Sequence, residues 1–426
     1  MSAGYQKGGD GGRGERPAPR ARGRLPDATR AVDGVVVNAY SEGWLKRGFP
    51  WVYHEEVVGR TAPIAPGQVV SIRSRSGEHL GVGVWDEGKV EVRRFRLDDG
   101  PIDTDLLRER VRSARVRRAV PADTTAWRWV HGENDDMPGI RVDVWGDHLS
   151  LTLDSPSLRG LVKPLIEVLC DEMELRTIWL NWRQQDEDDE EESPAAARAG
   201  EPRCVWGEDV REDVLVKEAG VTVAVRPWEG HDAGLYCDMR DVRAWLRPHW
   251  RGRQVLNTFA YTGMFSLSAA LGGALSVTSV DLSDKYLDRA KQNFELNGLK
   301  SDDYAFEARD TFKALDFFRR RGDRFDFIIA DPPSFSHGPA GMWSSKKDLP
   351  RLVAACIRVL EPGGWLLIAS NQGKVSPKEF QKQVQAGAQK LGRPLRLIHQ
   401  GSQPIDFAAA LDFPESRYLK CWILQA

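Results

Sequence analysis

From residue 34 onward, apolar and polar positions alternate with a period of two through the runs VVVNAY, GQVVSIRS, GVGVWD and KVEVRRF, with turn residues between them. That period buries one face of each run and predicts a small all-β unit over residues 34–115. A basic, helix-like stretch from Asp105 to Arg118 follows. Residues 116–228 read as an α+β middle unit: HGENDDMPGIRVDVWGDHLSL (131–151) predicts a strand pair and Leu158 to Met173 a helix. From 229 to 426 the pattern changes again. The strand-like runs QVLNTF, ALSVTSVD, DYAFEARD, FDFIIAD, GGWLLIAS, LRLIHQG and YLKCWILQ have helical segments between them. Strands alternating with helices predict a doubly wound α/β sheet of Rossmann-like type.

Residues 1–33 have no apolar period and are rich in Gly, Arg, Pro and Ala, which predicts a disordered arm. Its Arg13, Arg16, Arg20, Arg22 and Arg24 suit contact with phosphates, and a dispensable tail explains them equally well. The acidic stretch 186–193 predicts a surface loop.

Composition narrows the class. Apolar residues make up 41% and charged residues 29% of the 426, as in a globular protein. No apolar run is long enough to span a bilayer, and there is no apolar signal region at the start. Cys170, Cys204, Cys237, Cys356 and Cys421 are scattered and odd in number. Reduced thiols in a cytoplasm, with no metal site, are the expectation. The formal net charge is −2, but the seven acids of Asp186 to Glu192 contribute −7 of it, leaving +5 for the rest. A mildly basic remainder is compatible with nucleic acid and with an ordinary solvated surface. Within Gly43 to Tyr53 (GWLKRGFPWVY), Lys46 and Arg47 interleave with Trp44, Phe49, Trp51 and Tyr53. Cations for phosphates beside rings for bases suit RNA; for any single ring, burial in the core is the plainer account.

The candidate chemistry lies at the strand ends of the last unit. In a doubly wound sheet a ligand belongs at the carboxyl edge, beside a helix start. The first strand runs into Asn257 and the loop Thr258-Phe259-Ala260-Tyr261-Thr262-Gly263. Gly263 is the one glycine there, so the dinucleotide fingerprint is absent and a nicotinamide or flavin is disfavoured. The second strand ends at Asp281-Leu282, where a carboxylate can accept hydrogen bonds from both ribose hydroxyls of a nucleoside cofactor. The third ends at Asp310-Thr311, placed to meet an adenine amino group. Each acid singly also fits a helix N-cap; three such features in register favour a cofactor. The fourth strand ends in Asp331-Pro332-Pro333-Ser334-Phe335, where the two prolines stiffen the backbone and remove amide donors. Phe335 suits packing on a flipped base. Glu133, Asp135 and Asp136 lack the His or Cys that would make a metal set and read as a polar turn.

These strings resemble bacterial class I S-adenosylmethionine (SAM) dependent 23S rRNA methyltransferases that carry a PUA domain. NTFAYTG and DPPSFS look like that family's cofactor and target-base loops, and Gly43 to Tyr53 looks like the start of a PUA domain, an RNA-binding β module. GLYCDMRDVR (234–243) resembles the family's segment before the cofactor loop, and FPESRYLKCWIL (413–424) agrees with it. The resemblance implies SAM held by Asn257 to Gly263, Asp281, Leu282, Asp310, Thr311 and Asp331. It also implies Arg240 or Arg243 on the SAM carboxylate or an RNA phosphate. Asp331, Pro332, Pro333, Phe335 and Asn371 would position the base. It implies an RNA partner, 23S rRNA, and suggests a homodimer.

One departure matters. In the cytosine-C5 branch a Ser-Cys-Ser motif follows the fifth strand, because C5 is a poor nucleophile until a thiolate adds at C6. Here that segment is Ala369-Ser370-Asn371-Gln372, and an amide cannot do this. The catalytic unit is also similar to a guanine-N7 methyltransferase module with a Ser-Asn-Asn motif. Nitrogen methylation, at guanine N7 or an exocyclic amine, is the expectation. The alternatives are C5 methylation by a displaced cysteine, Cys237 first, a small-molecule methyltransferase, and an RNA-binding protein with an inactive catalytic unit.

Overall fold

The computed structural model describes residues 31, 33–182, 202–333, 335–338 and 341–426. The arm at 1–33 lies almost wholly outside these residues, and the acidic loop at 186–193 entirely so.

The first unit is a six-stranded sheet. In chain order it comprises β1 (Asp33–Val37), α1 (Ala39–Lys46), β2 (Trp51–Tyr53), β3 (Val57–Arg60), β4 (Val69–Arg73), β5 (His79–Trp85) and β6 (Val90–Arg96). The strands lie in the order β2-β6-β5-β4-β1-β3. The alternation read from the sequence buries Val35, Val37, Val70, Ile72 and Val92 in one cluster. The short helix α1 starts at Asn38, whose Oδ1 accepts from the Ser41 amide at 2.9 Å.

The middle unit comprises α2 (Thr104–Arg117), β7 (Ala126–His131), β8 (Ile140–Trp145), β9 (His148–Leu153), α3 (Val162–Glu172), β10 (Thr177–Trp182) and β11 (Arg203–Gly207). Its five strands form one sheet in the order β11-β10-β9-β8-β7. Helix α2, grouped by its sequence position with the β unit before it, buries Leu106, Leu107, Val111 and Ala114 in the same cluster as Trp129 and Leu151. Its apolar residues face the middle sheet, and Arg108 and Arg112 reach across to Asp171 and Glu172 of the neighbouring helix. The ribbon β12 (Val214–Glu218) and β13 (Val221–Val225) then leads into the last unit.

That unit contains α4 (Arg240–Leu246), β14 (Gln254–Thr258), α5 (Met264–Leu271), β15 (Ser276–Asp281), α6 (Asp284–Leu296), β16 (Ala305–Ala308), α7 (Thr311–Arg321), β17 (Phe325–Ala330), the small hairpin β18 (Phe335–Gly338) and β19 (Gly341–Ser344), α8 (Ser345–Val359), β20 (Leu360–Ser370), α9 (Pro377–Gln389), β21 (Arg396–Gly401) and β22 (Lys420–Gln425). All seven strand-like runs become strands of one sheet, in the order β16-β15-β14-β17-β20-β22-β21. Five are parallel, and β22 inserts antiparallel between β20 and β21. The two central strands β14 and β17 are buried on both faces apart from Gln254 and Asp326, as a sheet covered on two sides requires. Strand order reverses between β14 and β17. This is the topological switch point, where the loops after both strands splay apart and leave a crevice.

The loop between β21 and β22 locks the units together. Phe413 packs edge-on to Trp51 of the first unit, ring centroids 4.8 Å apart. Phe407 lies under the Arg128 guanidinium of the middle unit at 4.4 Å. The Ala410 amide donates to Asn134 Oδ1 at 2.8 Å. The rings of Phe49 and Trp51 are therefore largely spent on internal packing.

Candidate active site

The loop after β14 has an unusual backbone. Phe259 and Tyr261 have φ of 59° and 50°, the left-handed region that side-chain-bearing residues avoid at a cost of roughly 1–2 kcal/mol each. Hydrogen bonds to the neighbouring strand β15 hold it there. The Ala260 amide donates to the Val280 carbonyl at 2.9 Å, and the Tyr261 amide donates to Asp281 Oδ2 at 2.8 Å. Gly263 (φ 79°) opens helix α5; a Cβ on it would sit 2.7 Å from that of Ala290 in α6. Only glycine lets α5 and α6 approach so closely.

Asp281 is the hinge of this arrangement. Its Oδ2 takes the Tyr261 amide and its Oδ1 takes the Ser283 amide at 3.0 Å. A carboxylate accepts about four hydrogen bonds, so capacity remains for two hydroxyls. Next to it Leu282 is 50% exposed, an apolar surface at the crevice. The rings of Tyr236, Tyr261 and Tyr286 form a chain, with centroids 5.1 and 4.6 Å apart, beside the same loop. These features fit a nucleoside with its ribose on Asp281. Asp310 caps α7 through the Lys313 amide at 3.0 Å, and Thr311 is buried in the first turn. The N-cap role weighed for Asp310 is therefore present, and its position at the end of β16 remains at the crevice edge.

Three other sequence candidates turn inward. Asn257 is buried and donates to Ser266 Oγ at 2.9 Å, bracing α5 from below. Thr262 donates to the Gly234 carbonyl at 2.7 Å. Arg240, one of two arginines considered for a cofactor carboxylate or a phosphate, is not arranged for either. Its guanidinium is buried against Asp406, at 2% and 0% exposure, and that carboxylate also accepts the Arg128 amide. Arg243 is likewise committed, making a bidentate pair with Glu218 at 2.6 and 2.7 Å. Both arginines join units of the chain. A basic residue in a helix start looks the same in sequence whether its partner is internal or external.

The second half of the site follows β17 and β20. Thr258 at the end of β14 donates to the Ile329 carbonyl at 2.8 Å, tying the two loops together. Asp331 follows β17 directly. Burial, then the nearby Asp238 carboxylate, push its pKa up to about 7, with Arg243 opposing. Pro332 is buried and Pro333 exposed. Phe335 opens β18, and its side chain lies outside the described residues. Asn371 immediately follows β20. Asp238, read in sequence only as part of a motif, accepts from the Tyr418 hydroxyl at 2.8 Å. Tyr418 and Lys420 come from the far end of the chain. The string FPESRYLKCWIL contained them, but nothing in its pattern marked which side chains reach the site.

Neither nearby thiol is prepared as a nucleophile. Cys237 packs among Leu235, Met264 and Leu267. Cys421 is wholly buried on β22, opposite Ala369. Burial and surrounding carboxylates hold both thiols well above their ordinary pKa, so they stay protonated. Among the described residues no cluster of His, Cys, Asp or Glu could hold a metal ion, and no helix is long and apolar enough to cross a membrane.

A family profile described as S-adenosylmethionine-dependent methyltransferase matches residues 195–412, and a PUA-like domain profile matches 35–95. A protein of Shewanella amazonensis named ribosomal RNA large subunit methyltransferase I is 32% identical over 88% of this chain and 95% of its own length. One of the same name from Tolumonas auensis is 31% identical over 92% and 99%. The crystal structure of the methyltransferase SMU.776 complexed with SAH superposes with a TM-score of 0.83 at 23% identity, over 92% of this chain and all of that one. The chain belongs to the SAM-dependent methyltransferases, in the family of the ribosomal RNA large subunit methyltransferase I proteins.

Proposed function

We propose that the protein methylates a base of 23S rRNA at a nitrogen atom, using SAM, in the cytoplasm. The relatives' name and the PUA-like unit support ribosomal RNA as the substrate. The observation that carries the nitrogen reading is Asn371 where the C5 branch needs a thiolate. The protonated, packed states of Cys237 and Cys421 weigh against a displaced nucleophile.

Bound SAM supplies an electrophilic methyl on a sulfonium. Asp281 holds the ribose, Leu282 and Phe259 flank the cofactor, and Asp310 with Thr311 lies toward the adenine. Asn257, Ala260, Thr262 and Gly263 set the loop's shape from beneath. Pro332 and Pro333 present a rigid rim for the base. Asp331 and the Asn371 amide orient the attacking nitrogen; a nitrogen lone pair needs orientation and a dry site and no covalent activation.

The test is removal of the two thiols. The Cys237→Ala and Cys421→Ala variants should each methylate 23S rRNA from a strain lacking the protein within about twofold of the parent rate. A thiol nucleophile would show as loss of roughly 10³-fold or more in one of them, which would return the chemistry to C5.

A further inference from the structure

Lys420 opens β22 and lies opposite Ser370, the last residue of β20. It is 5% exposed. Its ammonium donates to the backbone carbonyl of Gln372, the residue after Asn371. Burial holds its pKa down to about 8, with no carboxylate compensating. An ammonium has three donors, and leaving them unanswered in a buried place costs free energy. The carbonyl of Gln372 answers one.

Position gives the others a direction. The sheet order β17-β20-β22 puts Asp331 and Lys420 on one edge, on either side of the loop that carries Asn371. Neighbouring strands lie about 4.8 Å apart, so roughly 10 Å separates the two strand ends, with the Ser370–Gln372 end of β20 between them. On one side stands an acceptor, on the other a donor.

We propose that Lys420 is a specificity-determining residue that donates to a ring carbonyl oxygen of the target base, while Asp331 receives the proton released from that base's exocyclic amine. The inference rests on the nitrogen-methylation reading and narrows it. The nitrogen lone pair attacks the methyl carbon, the carbon–sulfur bond breaks with its electron pair going to sulfur, and one N–H proton passes to the Asp331 carboxylate. The sulfonium becomes a neutral thioether and the amine a methylamine. An ammonium on the carbonyl draws electrons from the ring and makes the departing proton more acidic. The same ammonium opposes methylation at guanine N7, where no proton leaves and the ring becomes a cation. Adenine has no carbonyl oxygen to receive the Lys420 ammonium. The base is therefore guanine or cytosine, methylated on its amino group.

The experiment compares the full-length protein with its Lys420→Met and Lys420→Arg variants on 23S rRNA from a strain lacking the protein, with nucleoside mass spectrometry of the product. The expected product is N2-methylguanosine or N4-methylcytidine. Lys420→Met should lower kcat/KM about 100-fold, the scale of losing one aimed donor. Its SAM affinity by calorimetry should stay within twofold, and Lys420→Arg should retain more activity. Unchanged kcat/KM in Lys420→Met overturns the proposal. So does a variant that keeps kcat but binds RNA more weakly with a salt slope smaller by about one, because the ammonium then serves a phosphate. A product of 7-methylguanosine or a methyladenosine overturns it while leaving nitrogen methylation standing. Recovery of 5-methylcytidine instead removes the nitrogen reading beneath it. The product's identity decides even where a variant folds poorly.

Discussion

Burial and the Asp238 carboxylate place Asp331 near neutrality, and two pH effects follow. To receive the proton released from the amine it must be ionised, so methyl transfer should rise with pH through an apparent pKa near 7. Stability runs the other way. The folded protein keeps this proton while the unfolded chain has already lost it. The contribution of Asp331 is thus present below about pH 4 and lost as pH rises through about 7. A pH–rate profile with no inflection between pH 6 and 8 would remove Asp331 from the transfer step. At Asp281 the cost is in affinity. Alanine there removes the acceptor for the Tyr261 and Ser283 amides as well as for the ribose. SAM binding measured by calorimetry should fall at least tenfold, since hydrogen bonds to a charged group are worth about 1.5–3 kcal/mol. Undiminished affinity would place the ribose elsewhere.

At the scale of elements, the turn from β14 into α5 carries the most constraint. Gly263→Ala combines a left-handed backbone with a contact 2.7 Å from Ala290. It should cost about 1–3 kcal/mol in chemical denaturation and weaken SAM binding by tilting α5 away from α6. Elements such as these were legible in the sequence where the physics is local. Period-two runs marked the strands, and Gly263, Asp281 and the two prolines marked strand ends by their chemistry. Legibility failed where a side chain's partner lies far along the chain. Arg240 is 166 residues from Asp406 and Asp238 is 180 from Tyr418, and local pattern carries no information on such pairings. Helix α2 followed the same rule. It was legible as a basic, helix-like stretch, but the sheet it faces was not.

Across the whole molecule, one loop before β22 touches all three units and ends in the site residues Tyr418 and Lys420. The buried Arg240–Asp406 pair sits at its root. Asp406→Asn leaves a buried guanidinium without its counter-charge, and thermal or chemical denaturation should show a loss of about 3–5 kcal/mol. If Arg240 instead served the cofactor, stability would hold and SAM affinity alone would drop. The PUA-like unit, the middle unit and the last unit are thus fastened by the same loop. On the proposed function, this edge delivers a methyl group to a nitrogen of 23S rRNA without a thiol nucleophile. The most direct measurement incubates the purified protein and isotopically labelled SAM with 23S rRNA lacking the modification, then identifies the labelled nucleoside by mass spectrometry. Label on a base nitrogen is the predicted result. Label in 5-methylcytidine would contradict it.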